Sequence, residues 1–252
     1  MKKDLPFDEK YFQKLKETGL ELGVEEVFRK IHQENHWGDG ESVSGQGSNS
    51  EQTATISILV PKLLKELNIA TLLDAPCGDF GWIRKIDLPI KNYIGADIVP
   101  EVIVKHNAWF AGGEPKEGTQ TTAGAKISPE GRDLEGLKRN FIVLDITRDD
   151  LPEADLILCR DCLVHLSFED VQRFIQNIKK SKIKYLLTTT FPERTENQDI
   201  VTGDWRTLNL EISPFFFPKP LKIINENCTE GNGNYKDKSL GLWEIQNLRF
   251  KV

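Results

Sequence analysis

Four short apolar runs in this sequence each lead into acidic residues. Ala70–Leu73 runs into Asp74-Ala75-Pro76-Cys77-Gly78-Asp79-Phe80-Gly81-Trp82, and Tyr93–Ala96 into Asp97-Ile98. Phe141–Leu144 runs into Asp145-Ile146, and Asp155–Cys159 into Arg160-Asp161. If the runs are parallel strands, these residues lie beyond the carboxyl ends of a sheet, where such folds take ligands. A row of carboxylates there suits ribose hydroxyls, an amine or a positive charge. Asp97, 19 residues beyond Gly78, is placed to accept from both hydroxyls of a ribose. Gly78 lets backbone approach a ligand closely. The competing role for Asp74, Asp145 and Asp161 is to cap helices or turns. Three strands ending alike favour a site.

Periodicity reveals the elements that must position these residues. Residues 8–34 read as two short helices, the second with Val24, Val27, Phe28 and Ile31 on one stripe. Asn35–Ser50, with four Gly and four Ser in sixteen residues, reads as a loop. Ile56, Val60, Leu63, Leu64 and Leu67 then share a helical face, and Pro61 is expected to kink that helix or delay its start. From residue 70, apolar runs (Tyr185–Thr189 is the fifth) alternate with helices expected at about 80–87, 99–109 and 167–180. Ser167 and Asp170 form a capping signature for the last. The alternation predicts βαβ units and a mostly parallel sheet. Leu221–Cys228 and Ser239–Gln246 flank Gly231-Asn232-Gly233-Asn234 and predict an antiparallel hairpin at one sheet edge. Ala111–Asn140, with six Gly in thirty residues, is expected to be an irregular insertion, either a lid or a disordered segment.

Composition narrows the class of protein. The 252 residues include 33 Lys+Arg and 39 Asp+Glu, a net charge of −6, which disfavours nucleic acid as a partner. No apolar run approaches the roughly 20 residues that span a bilayer, so no membrane partner is expected. Met1-Lys2-Lys3-Asp4-Leu5-Pro6 has a basic pair with no apolar core behind it, so no secretory signal is expected and a cytoplasmic location is. Four cysteines, Cys77, Cys159, Cys162 and Cys228, are too few for a disulfide scaffold and suit a reducing compartment. Cys159 and Cys162 have C-x-x-C spacing, but no second pair completes a zinc site. They are expected to be small residues at a strand end, and no metal is expected.

From about Leu72 to Leu187 the sequence resembles the class I S-adenosylmethionine-dependent methyltransferases. Leu72-Leu73-Asp74-Ala75-Pro76-Cys77-Gly78 resembles the glycine-rich first motif, with Pro76 in place of its first glycine and Phe80 in place of its third. Tyr93-Ile94-Gly95-Ala96-Asp97-Ile98 resembles the second motif, whose acid binds the cofactor ribose. Asp145-Ile146 resembles the pair beside the adenine, and Asp155 to Leu166 the fourth-strand motif. Asn35–Gly38, Glu41–Ser48, Asp199–Asn209 and Lys238–Trp243 look like an uncharacterised branch of that superfamily, marked by its DAPCGDF first motif. The resemblance implies an α/β, Rossmann-like fold with a seven-stranded, mostly parallel sheet and a C-terminal antiparallel hairpin. Residues 1–50 would form an N-terminal helical cap and lid loop, and residues 51–252 the methyltransferase domain with its insertion at about 111–140. S-adenosyl-L-methionine would be held by Asp74, Ala75, Pro76, Gly78, Asp79, Asp97, Ile98, Asp145, Ile146 and Arg160.

The implied reaction transfers a methyl group to a small-molecule acceptor, expected to be an oxygen of a sugar or a small hydroxylated or acidic metabolite. An alcohol acceptor needs a base within hydrogen-bond reach. His165 is the expected base, since an ordinary histidine is largely neutral at pH 7. Leu163, Val164 and Leu166 around it leave a core role equally open. Asp161 would orient His165 or hold the cofactor amine. Substrate contacts are expected from Asp204, Trp205 and Arg206 in one loop, and from Trp37 and Ser44 in a lid hinged at Gly45 and Gly47. Phe215-Phe216-Phe217 reads as core. Two alternatives remain: an NAD-dependent oxidoreductase, which expects a G-x-G-x-x-G absent here, and a cofactor-binding module without turnover.

Overall fold

The computed structural model describes residues 7–110 and 137–248. The helices are α1 (Tyr11–Glu17), α2 (Val24–Glu34), α3 (Ser50–Glu66), α4 (Pro100–Phe110) and α5 (Phe168–Lys180). The strands are β1 (Thr71–Asp74), β2 (Asn92–Asp97), β3 (Lys138–Val143), β4 (Leu156–Cys159), β5 (Tyr185–Thr190), β6 (Lys222–Asn225) and β7 (Ser239–Glu244). They form one seven-stranded sheet in the order β3-β2-β1-β4-β5-β7-β6. The first five are parallel, and β7 runs antiparallel to both β5 and β6. The expected fold class, including the antiparallel hairpin, is the one observed.

Alternating side chains feed the two faces of the sheet. Leu72, Leu156, Leu158 and Leu187 join the cluster built on Ile56, Val60, Leu63 and Leu64 of α3. Leu73, Ile157, Cys159 and Leu186 join the opposite cluster, built on Val171, Phe174, Ile175 and Ile178 of α5. Helices thus cover both faces, and the central strands are apolar throughout because neither face meets water. Ser167 caps α5, its side chain accepting from the Asp170 amide. On the N-terminal side, Phe12 of α1 packs with Val27 and Ile31 of α2 in a small separate cluster.

Several expectations are corrected. The helix at 80–87 is a single 3-10 turn, Ile83–Lys85. Phe80 sits in the left-handed region at φ 58, and the Asp79 carboxylate accepts from the Gly81 amide, so the chain turns where a helix would begin. Pro61 does not delay α3, which starts at Ser50 with Asn49 as its cap. Ile56, Val60, Leu63 and Leu64, buried on either side of the proline, outweigh the one lost backbone bond. Lys138, Arg139 and Asn140 belong to β3, so the irregular stretch ends before them, and the rest of that expectation lies outside the described residues. Phe215 and Phe217 are core, but Phe216 is 46% exposed. All four cysteines are free and buried. Among the described residues no helix is long and apolar enough to cross a membrane.

Candidate functional site

Strand order reverses at β1, whose neighbours on its two sides are β2 and β4, and the loops beyond these strands open a cleft. The β1 loop is tied to β2 through its backbone. The Cys77 amide donates to the Ala96 carbonyl at 2.8 Å, and the Gly78 amide donates to the Asp97 carboxylate at 3.1 Å. The other oxygen of Asp97 accepts from the Val99 amide at 3.0 Å. His106 of α4 donates through Nε2 to the Gly78 carbonyl at 2.7 Å, since a carbonyl can only accept. Tyr93 donates its hydroxyl to Asp74 at 2.5 Å. Burial pushes the Asp97 carboxyl up to about 6 and that of Asp74 up to about 7.

A cavity of about 1130 Å³, counting its open mouth, lies over these strand tips. Asp74, Asp79, Asp97, Asp145 and Asp161 line it, against one arginine, Arg160. Ile98, Val99, Leu144 and Ile146 make an apolar wall, and Val24, Phe28 and His32 of α2 form part of the lining. Pro76 and Gly78 also line it, so nine of the ten residues expected to hold a cofactor meet here. Ala75 does not: it is wholly buried, and its amide continues the sheet by donating to the Leu158 carbonyl at 2.9 Å. Asp145 lines the cavity while also capping a turn, accepting from the amide and hydroxyl of Thr147 at 2.8 and 2.6 Å.

The loop at residues 35–48 lies against the β1 loop. Ser44 accepts from the Asp79 amide at 3.0 Å, and Ser42 donates to the Asp79 carboxylate at 2.7 Å. Gly78, at φ 51, faces Ser44 so closely that a Cβ there would come within 2.4 Å of the serine hydroxyl. The Gly47 carbonyl accepts from Arg160 at 2.6 Å. Arg160 also grips Glu226 with two bonds of 3.2 and 2.6 Å, both side chains being buried. Lys238 reaches the Asp161 carboxylate at 2.7 Å. Against the effect of burial, the Arg160 and Lys238 charges hold the Asp161 carboxyl well below the usual range. It stays ionised.

A second cavity, of about 560 Å³, adjoins the first, and Trp37, Ser44 and Asp161 line both. His165 and Trp205 line the second. The His165 ring stacks on Trp37 with centroids 4.5 Å apart, and its Nδ1 lies 3.0 Å from the Asp204 carbonyl oxygen. That carbonyl requires a proton on Nδ1 and leaves Nε2 as the basic nitrogen. Burial pushes the imidazole down to about 4, so it is neutral at physiological pH.

Asp204 and Arg206 line neither cavity. The Asp204 carboxylate accepts from the Phe12 and Gln13 amides at 2.7 and 3.0 Å, capping α1 from across the fold. Arg206 is buried and donates to the carbonyls of Leu163 and Leu166 at 2.6 and 2.8 Å. Both hold the framework, because each is consumed by backbone groups. The sequence reading missed Lys238, Glu226 and Glu230, which complete the ion cluster, and Phe191 and Tyr235, which line the second cavity. Among the described residues no cluster of three or more His, Cys, Asp or Glu is arranged to hold a metal.

No protein-family model matches the sequence, and no curated protein matches it. Solved structures do. Human N-acetylserotonin methyltransferase in complex with S-adenosylmethionine aligns with a TM-score of 0.51 at 14% identity, over 88% of this chain and 60% of that one. An S-adenosylmethionine-dependent methyltransferase from Clostridium acetobutylicum aligns with a TM-score of 0.50 at 12% identity, over 79% of this chain and 93% of that one. These likenesses identify the fold as the Rossmann-like one of those proteins, and the chain spans 60% of the human protein's length.

Proposed function

We propose that this chain is an S-adenosylmethionine-dependent methyltransferase acting on an oxygen of a small-molecule acceptor. The observation that carries the reading is the pair of adjoining cavities that share Trp37, Ser44 and Asp161. The first fits the cofactor. Five aspartates against one arginine suit a sulfonium and an ammonium, and would repel a pyrophosphate. The buried Asp97 carboxylate at the tip of β2 keeps lone pairs beyond the two it gives to backbone amides, enough for ribose hydroxyls. Ile98, Val99 and Ile146 would flank the adenine.

When bound, the cofactor would supply an electrophilic methyl group, which the acceptor takes in line as the thioether sulfur leaves. Residues of this chain do the rest. Ser44 and Trp37, on the loop at residues 35–48, screen the reacting atoms from water. His165 takes the acceptor proton on Nε2, its orientation held by Trp37 and the Asp204 carbonyl. Asp161, fixed by Lys238 and Arg160, lies where the cavities meet and would receive the cofactor ammonium. The −6 net charge supports a small-molecule partner over nucleic acid, and a cytoplasmic location belongs to the same reading.

The oxidoreductase alternative needs an α-helix N-terminus at the β1 loop to hold a pyrophosphate, and a 3-10 turn of three residues stands there instead. Calorimetric titration with S-adenosylmethionine, S-adenosylhomocysteine and NAD separates the two. Binding of the first pair without NAD is expected; NAD binding alone overturns the proposal. Release of S-adenosylhomocysteine with an acceptor panel then distinguishes an enzyme from a binding module.

A further inference from the structure

Resting on the methyl-transfer reading, we infer that the acceptor is a flat aromatic ring bearing a hydroxyl and no carboxylate, seated in the second cavity. Its walls are aromatic. Trp205 meets Tyr235 edge-on at 4.9 Å and Phe191 at 6.4 Å, and the Trp37–His165 stack, tilted by 32°, is also part of the lining. Such surfaces gain most from a ring that can stack or meet them edge-on, whereas a sugar would leave most of its hydroxyls unpaired against them. Trp37 adds a buried indole N–H with no partner among the described residues, a donor suited to an oxygen of the ligand.

Charge disfavours acids. The ion cluster behind Asp161 holds two cations, Arg160 and Lys238, and three carboxylates, Asp161, Glu226 and Glu230. One negative charge is left over, and two carboxylates, Asp161 and Glu230, line the cavity against one cation, Lys238. A ligand carboxylate would be repelled there.

The base argues in the same direction. His165, held neutral down to about 4 by burial, is a weak base, and a weak base assists an acidic hydroxyl best. A phenol titrates at about 10, while an alkyl alcohol resembles water at about 15.7. In the step proposed, the hydroxyl oxygen forms the new C–O bond as the methyl C–S bond breaks. Sulfur keeps that bonding pair and becomes a neutral thioether. The hydroxyl proton passes to Nε2 of His165 and then to solvent.

The test is calorimetric titration of the whole chain in saturating S-adenosylhomocysteine. The probes are 4-methylphenol and 2-naphthol, each beside its ring-saturated counterpart (4-methylcyclohexanol, 2-decalol) and its acid (4-hydroxybenzoate, 6-hydroxy-2-naphthoate). An aromatic hydroxyl is expected to bind about tenfold or more tightly than both counterparts. Trp205→Leu, and separately Tyr235→Leu, should shrink that preference, and with S-adenosylmethionine the methyl ether should form. If neither aromatic probe outbinds its saturated counterpart, the inference is overturned while binding of S-adenosylhomocysteine leaves the cofactor assignment standing. If S-adenosylhomocysteine itself does not bind, methyl transfer is overturned, and the same probes without it still decide the ligand class of the cavity.

Discussion

Nδ1 of His165 lies 3.0 Å from the backbone carbonyl oxygen of Asp204, a residue whose carboxylate caps a helix 192 residues away in sequence. The carbonyl fixes the tautomer, and the cap fixes the carbonyl. His165→Asn keeps a donor for that carbonyl and removes the basic nitrogen. Turnover should fall by about 10²- to 10⁴-fold with cofactor affinity unchanged, read by single-turnover kinetics and calorimetry. Because burial holds His165 neutral down to about 4, the wild-type rate at saturating cofactor should show no histidine limb as pH falls from 8 to 5. A limb near 6.5 that His165→Asn leaves in place would count against His165 as the base.

Cofactor affinity should depend on pH through Asp97. Burial raises its carboxyl to about 6, so it is mostly ionised at pH 7 and mostly protonated at pH 5. Accepting from both ribose hydroxyls needs the ionised form, and the dissociation constant should therefore rise about tenfold between pH 7 and pH 5. Asp97→Asn should flatten that profile and weaken binding at pH 7 by about tenfold or more. The ligand-free protein should respond with the opposite sign. A carboxyl whose folded value lies above its unfolded 3.8 favours the folded state at low pH, and that contribution is lost as pH rises through 6, with Asp74 extending the window to about 7. Denaturant melts across pH 4 to 8 would read this contribution as a decline in stability, best seen as the difference from Asp97→Asn.

Gly78→Ala should disturb the lid and the cofactor loop together. The new methyl would meet the Ser44 hydroxyl at 2.4 Å, in a left-handed conformation that costs a residue with a side chain about 1–2 kcal/mol. A lower melting temperature and weaker cofactor binding are expected. Ser44→Gly in the same chain should restore part of the loss, and a double-mutant cycle would measure the coupling. Strict additivity would show that the two loops do not bear on each other.

Glu226→Gln should be the most destabilising of these changes. It removes the charge that pairs with buried Arg160 and faces Lys238 at 3.9 Å. Breaking a buried pair by losing one partner costs about 3–5 kcal/mol, and urea unfolding would report it. A loss below about 1 kcal/mol would mean that the cluster is solvated in solution.

The strand tips are legible in the sequence because an apolar run ending in an acid is a local signal, and Asp74, Asp97, Asp145 and Asp161 do meet around one cavity. Trp37 and Ser44 are legible for a similar reason, since a Gly- and Ser-rich loop beside a buried helix stripe has few other uses. Asp204, Trp205 and Arg206 mislead because consecutive loop residues find different partners. Only Trp205 reaches the cavity, while its neighbours satisfy a helix N-terminus and two carbonyls. The partners of Arg160 and Asp161 lie 66 and 77 residues further on, in the hairpin, where no short-range pattern marks Glu226 and Lys238 as belonging to the site. Phe80 is misleading too. Its buried ring completes an aromatic cluster with Tyr93 and Phe141, which offsets a backbone conformation that a glycine would adopt freely.

The insertion of β7 between β5 and β6 ties the site to a distant part of the chain. Lys238 directly precedes β7, so the charge that steadies Asp161 comes from the seventh of the described strands. β7 covers the edge of β5, and Glu226 and Lys238, at the inner ends of β6 and β7, close around Arg160 and Asp161. The Asp97 clamp uses only residues of β1, β2 and their loops, whereas the lining of the second cavity extends to Tyr235 and Lys238. One wall of the second cavity, the part that carries Lys238, therefore depends on a strand far along the chain from the loops that form the first.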